Sequence, residues 1–207
     1  MKTLKSLSVL TAAVLSNSLS LNAASDAANK PNFVIIFCDD MGYGDLSCYG
    51  NPTIRTPNID RMACEGMKLT QFYVGAGVST PSRAALMTGR LPVRNGLYGD
   101  RVAVLFPNSK AGLGQDEVTI AKVLQQNGYA TGCVGKWHLG AFSPYLPTDH
   151  GFDTYFGIPY SNDMSPVRNK GAHARNFPST PLILDGKQIE SEPDQGELTR
   201  RYTEKAV

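Results

Sequence analysis

Three short runs carry the residues that could do chemistry. In Ser79-Thr80-Pro81-Ser82-Arg83-Ala84-Ala85-Leu86-Met87-Thr88-Gly89-Arg90, a hydroxyl residue opens a predicted short helix and an arginine sits one turn in. The unpaired amides and dipole of a helix N-terminus favour an anion, and a guanidinium adds a forked cationic donor. A second run ends in Asp39-Asp40, whose carboxylate oxygens suit a hard cation such as Ca²⁺ or Mg²⁺. The third, Gly135-Lys136-Trp137-His138, supplies an ammonium and an imidazole that titrates near neutral pH. Each run also has a plain reading: an N-cap serine, a turn or helix cap, a surface Lys–His pair.

The elements that must position these groups follow from hydropathy. Phe33-Val34-Ile35-Ile36-Phe37-Cys38 is continuously apolar, the pattern of a strand covered on both faces, and Tyr129 to Val134 reads as a second buried strand. Asp39-Asp40 end the first and Gly135 to His138 the second, at the carboxyl edge where open α/β sheets bind ligands. A helix is expected at Asn58 to Glu65, with Thr56 as cap, Pro57 in its first turn, Gly66 as stop, and Ile59, Met62 and Ala63 facing inward. Another begins near Pro81, carries Ala84, Ala85 and Leu86, and ends by Gly89. A third spans Glu117 to Asn127, with Asp116 as cap and Ile120, Ala121 and Leu124 buried. Asp185-Gly186 between two apolar runs predicts a hairpin. A last helix starts at Glu197, with Leu198, Tyr202 and Ala206 on one face, and the chain stops inside it. The alternation of strands and helices points to α/β layers with a largely parallel sheet.

The 207 residues, 42% hydrophobic and 18% charged, can fill one substantial core, and the low charge excludes a disordered class. Lys2 and Lys5 precede an apolar run from Leu7 to Leu21 that ends in small residues, so residues 1–24 read as a secretory signal peptide. Removing it leaves 18 basic against 18 acidic residues, a balance that gives no support to nucleic-acid binding. No later segment approaches a membrane span. Four cysteines in an exported chain allow three pairings; Cys38 and Cys133 fall in apolar strands and read as buried thiols, and Cys48 and Cys64 could pair only if the fold joins them.

The run from Ser79 to Arg90 resembles the signature of the sulfatase family: Cys or Ser, any residue, Pro-Ser-Arg, three residues, then Leu or Met and Thr-Gly-Arg. Gly135-Lys136-Trp137-His138-Leu139-Gly140 resembles the family's second signature, and Pro31-Asn32 through Asp45 its opening strand and metal loop. Gly151-Phe152-Asp153 and Gly157-Ile158-Pro159-Tyr160-Ser161 are similar to further family blocks. The likeness is greatest to the branch of arylsulfatase A and N-acetylgalactosamine-6-sulfatase. It implies an alkaline-phosphatase-like α/β/α sandwich around a large, mainly parallel sheet. It further implies a sulfuric ester hydrolase acting on an aryl sulfate or a sulfated carbohydrate.

Roles carried over by this resemblance are as follows. Ser79 is the residue converted to formylglycine, whose hydrate has two geminal hydroxyls; one attacks the sulfur, and the other, once deprotonated, lets the aldehyde re-form and expel sulfate. Asp39 and Asp40, with the modified Ser79, bind Ca²⁺. Arg83 holds the modified residue, Lys136 contacts sulfate, His138 is the base, and Ser161 hydrogen-bonds the sulfate. His150 and His173 match no catalytic position and read as structural or surface groups, and Trp137 and Tyr43 as packing around the site. Segment 163–192, with Arg168, Lys170, Arg175 and Lys187, reads as a solvated loop, with an anionic-sugar cleft as the alternative.

A serine rather than a cysteine at position 79 implies a radical-type bacterial maturase, hence an exported, periplasmic or secreted protein. Family members run to twice this length or more, with an Asp-Asn pair, a His and a Lys in the second half. Residues 25–207 are therefore expected to be the N-terminal part of the catalytic domain, with little activity alone. Two other readings stand beside the sulfatase: a phosphate or phosphonate ester hydrolase of the same superfamily, and a non-catalytic binder of sulfated glycans with Ser79 unmodified.

Overall fold

A computed structural model of the chain describes residues 30–99, 103–171 and 175–207; the signal segment 1–24 and His173 lie outside the described residues. The chain divides into two compact units, Met1–Met41 and Gly42–Val207.

In the second unit, four strands form a mixed sheet in the order β1 (Gly132–Val134), β2 (Thr154–Gly157), β3 (Pro181–Leu184), β4 (Lys187–Ser191). β1 and β2 are parallel, and the other two pairings are antiparallel. The β3–β4 hairpin turns at Asp185 and Gly186, both at positive φ (47° and 81°), as a two-residue turn matched to strand twist requires. Asp185 does a second job there. Its Oδ1 accepts the Tyr155 amide at 2.8 Å and ties the turn to β2.

Side chains alternate across this sheet, and both faces are covered. Tyr155 and Ile183 join Ala84, Leu97, Leu105, Leu113, Trp137, Leu139 and Leu146 in the larger core. Their neighbours Phe156 and Leu182 point the other way, to Ile158, Leu198 and Tyr202. Helix α2 (Ser79–Thr88) thus covers one face and α4 (Leu198–Ala206) the other, an α/β layering. Leu113, Leu139 and Leu182 are fully buried, and each such side chain contributes roughly 2 kcal/mol of hydrophobic stabilisation.

The structure departs from the sequence pattern in several places. Phe33–Cys38 is not one of the four strands among the described residues, and Phe33, Val34, Ile35, Ile36 and Cys38 are exposed. An apolar run states what would be stable under cover; the cover itself is non-local. Helix α1 (Pro57–Glu65) forms where expected but buries none of its residues, with Met62 63% exposed. Thr56 occupies the N-cap position of α1 as expected, but its hydroxyl caps no helix amide; it lies 2.8 Å from Ser47 Oγ and donates to Asp60 Oδ1 at 2.9 Å. Helix α3 (Ile120–Gln126) starts later than expected because Thr119, not Asp116, accepts the Lys122 amide, while Glu117 pairs with Arg90. β1 is shorter than the expected strand and lies at the edge of the sheet, with Val134 exposed. All four cysteines are free: Cys38 and Cys64 are exposed, Cys48 and Cys133 half-buried.

Candidate active site

The parallel pairing of β1 with β2 runs past the strands themselves. Gly135, Trp137 and His138 donate their amides to Phe156, Ile158 and Pro159 carbonyls at 2.9, 3.0 and 3.0 Å. This carries Lys136 and His138 out along one strand end and Ser161 along the other. The two backbones close in at Gly157, where a Cβ would stand 1.8 Å from the Gly135 carbonyl oxygen; only glycine permits it. Tyr155, fully buried, donates its hydroxyl to the same carbonyl at 3.4 Å.

Helix α2 meets these strand ends with its N-terminus. Val78 occupies the cap position and offers no side-chain acceptor, so the first amides of the helix, at Ser79 and Thr80, are left for another partner. Pro81 contributes no amide, and Gly89 at φ 64° ends the helix. Arg83 then joins the pieces: its Nε donates to Ser79 Oγ at 2.9 Å and its Nη1 to the Lys136 carbonyl at 2.7 Å. Lys136 Nζ donates to Ser161 Oγ at 3.3 Å.

His138 is held from three sides. Its ring Nε2 lies 2.9 Å from the Leu105 carbonyl, which can only accept, so Nε2 carries the proton and Nδ1 is the basic nitrogen of the neutral ring. Its own carbonyl accepts from Thr80 Oγ1 at 3.0 Å, and the same hydroxyl accepts the Leu105 amide at 3.0 Å. His138 adopts φ 63°, the left-handed region, which costs a non-glycine residue about 1 kcal/mol or more. These bonds and its burial (2% exposed) offset that strain.

Hydrogen bonds therefore link Ser79, Arg83, Lys136 and Ser161, and His138 joins them through its backbone carbonyl at Thr80, with its ring at Leu105. Asp39 and Asp40 are carried by the N-terminal unit, both exposed, with Asp40 at φ 52°. Among the described residues no three His, Cys, Asp or Glu side chains gather into a metal site. Two carboxylates suit Ca²⁺ in kind, but fall short of its six to eight oxygens.

Thr80 and Leu105 were not singled out by sequence. Thr80 occupies the free position of the Ser-x-Pro-Ser-Arg pattern and looks like a spacer; only the fold shows its hydroxyl bridging helix and strand end. Gly157 was visible as one of a Gly-Ile-Pro-Tyr-Ser run, though its reason was not. Trp137 packs, as expected: it is buried against Phe152 and His150, and its Nε1 donates to the Tyr145 carbonyl at 2.8 Å. His150 is structural, fully buried, with burial lowering its pKa to about 4 and the Lys122 cation acting in the same direction. Tyr43 is exposed, and its hydroxyl donates to the Phe72 carbonyl.

The sulfatase family model matches residues 31–207. The chain belongs to the sulfatase family. Bovine arylsulfatase A is 54% identical over 153 residues, covering 73% of this chain and 30% of that protein. A Bacteroides thetaiotaomicron structure, from work on metabolism of multiple glycosaminoglycans, superposes with TM-score 0.65 at 36% identity, over 77% of this chain and 32% of the other. Another solved structure, in complex with its substrate D-glucosamine-2-N,6-O-disulfate, has TM-score 0.52 and 32% identity, over 74% and 26% of the two chains. These sulfatase neighbours place the α/β architecture in the alkaline-phosphatase-like class. The chain spans about a third of the length of the curated relatives it matches. Sulfatases generally depend on formylglycine and a metal. Among the described residues, no helix is long and apolar enough to cross a membrane.

Proposed function

We propose that the protein carrying this chain hydrolyses sulfate esters of carbohydrates, with Ser79 as the precursor of its nucleophile. One observation carries the reading: Arg83 binds Ser79 Oγ and the Lys136 carbonyl at once, fixing the hydroxyl of a helix N-terminus against a strand end that bears a cation. Oxidised to formylglycine and hydrated, position 79 supplies two hydroxyls on one carbon: one attacks sulfur as the sugar alcohol leaves, and the other, deprotonated, re-forms the aldehyde and expels sulfate. Arg83 orients that group. Lys136 and the Ser161 hydroxyl draw sulfate oxygens and stabilise the charge that develops on them, and the α2 amides add to the same field. His138 takes the proton through Nδ1, because Nε2 is committed as a donor to Leu105.

Asp39 and Asp40 contribute carboxylate oxygens to a Ca²⁺ shell in this reading. A serine at position 79 calls for a radical-type maturase and places the protein in an exported bacterial setting. The carbohydrate class is supported by the solved neighbour bound to a disulfated glucosamine.

The test is mass spectrometry of the tryptic peptide holding Ser79, from protein co-expressed with a radical maturase. Loss of two hydrogens, with turnover of an aryl sulfate, is the expected result. Intact serine together with binding of a sulfated sugar overturns the catalytic reading and makes the protein a glycan binder.

A further inference from the structure

A cleft lies between segment 167–168 and segment 192–196. It has a volume of about 280 Å³ and is lined by Val167, Arg168, Glu192, Asp194, Gln195 and their neighbours. Asn162, the residue after Ser161 in sequence, is bonded to its lining: its Nδ2 donates to Gln195 Oε1 at 3.1 Å, and Gln195 Nε2 returns a bond to the Asn162 carbonyl at 2.8 Å. Gln195 Oε1 also accepts from Arg168 Nε at 3.0 Å, which fixes the guanidinium and leaves its two Nη groups to donate elsewhere. Asp194 is anchored through one oxygen, Oδ1, to the Gly196 amide at 2.9 Å, and Glu192 through Oε1 to the Thr180 amide.

The charge of this lining decides what fits. The lining holds one guanidinium and two carboxylates, an excess of negative charge that disfavours an anion. Carboxylates only accept, guanidinium only donates, and a glutamine amide does both. The complement is a ring that offers hydroxyl donors and acceptors together and no charge. We infer that this cleft binds an uncharged hydroxylated sugar ring linked to the sulfated one, so that the sulfate-ester site selects a sulfated oligosaccharide with a neutral neighbouring residue. The inference rests on the sulfate-ester reading of the Ser79 site and names its substrate further.

Binding to the full chain with Ser79 unmodified tests it, by calorimetric titration with three probes: a sulfated hexose, the same hexose extended by a neutral hexose, and the same extended by a hexuronic acid. The neutral extension is expected to tighten binding about tenfold, and the uronic acid extension to give no gain. Arg168→Ala and, independently, Gln195→Ala should remove the gain while leaving affinity for the sulfated hexose within about twofold. Equal affinities for the hexose and its neutral extension, a gain that survives both variants, or a larger gain from the uronic acid would overturn the inference alone. Failure of all three sugars to bind overturns the Ser79 reading with it.

Discussion

Helices α1 and α2 are nearly equal in length, nine and ten residues, and each has a proline in its first turn and a glycine after its last residue. α1 has the more regular apolar stripe, yet none of its residues is buried, and Ile59 and Met62 face solvent. α2 mixes serine, threonine and arginine with proline, alanine, leucine and methionine, and buries Thr80, Pro81, Ser82 and Ala84. An apolar stripe records what a helix can cover. Burial follows from what stands opposite, and α2 has a strand end whose carbonyls accept from its Thr80 hydroxyl and its arginine.

The strand side of the α2 contact is where a substitution costs most. Gly157→Ala puts a methyl group into the Gly135 carbonyl and forces β1 and β2 apart; a loss of about 3 kcal/mol or more in denaturant unfolding is expected. Retained stability would mean that α2 does not depend on that close approach. Arg83→Ala, in matured protein, should lower kcat/KM for an aryl sulfate by about 10² to 10³, and Arg83→Lys should restore little, because an ammonium cannot bridge both acceptors. Thr80→Val keeps the shape but strands the buried Leu105 amide and His138 carbonyl. It should cost about 1–3 kcal/mol of stability, measured by urea titration.

A gentler probe is pH. Burial holds the folded His150 pKa near 4, against an ordinary value of 6.5, so the unfolded chain binds the proton more readily. Stability is full above pH 6.5 and falls as pH drops from there towards 4; His150→Gln should flatten that slope, and an unchanged slope would assign it elsewhere. The smallest effect belongs to α1. Met62→Ala should shift stability by less than about 0.5 kcal/mol, and a larger loss in the same titration would show that its exposed face is covered in solution.

Local chemistry explains what could be read in advance. The Asp185-Gly186 turn needs two left-handed residues in succession, and sequence names them; Leu198 and Tyr202 mark the packed side of α4 as expected, while Ala206, expected on the same face, is exposed. Ser79 and Arg83 were legible because one helical turn separates them whatever else the fold does. Thr80 was not legible, since its partners Leu105 and His138 lie far away in sequence. The start of α3 was misplaced because Asp116 and Thr119 are both competent caps and the ion pair with Arg90 claims the intervening Glu117. Phe33 to Cys38 misled for the opposite reason: composition stated a preference for cover, and covering groups are never local.

Arg83 takes hold of residue 136 by its main-chain oxygen rather than by its side chain. Scaffold and charge are thereby separable at that position: exchanging the lysine for an uncharged side chain leaves the arginine its anchor and Ser79 its orientation. Position 136 can accordingly be retuned for a substrate of different charge without dismantling the nucleophile, a freedom that residue 83, which has to reach two acceptors with one planar group, does not have.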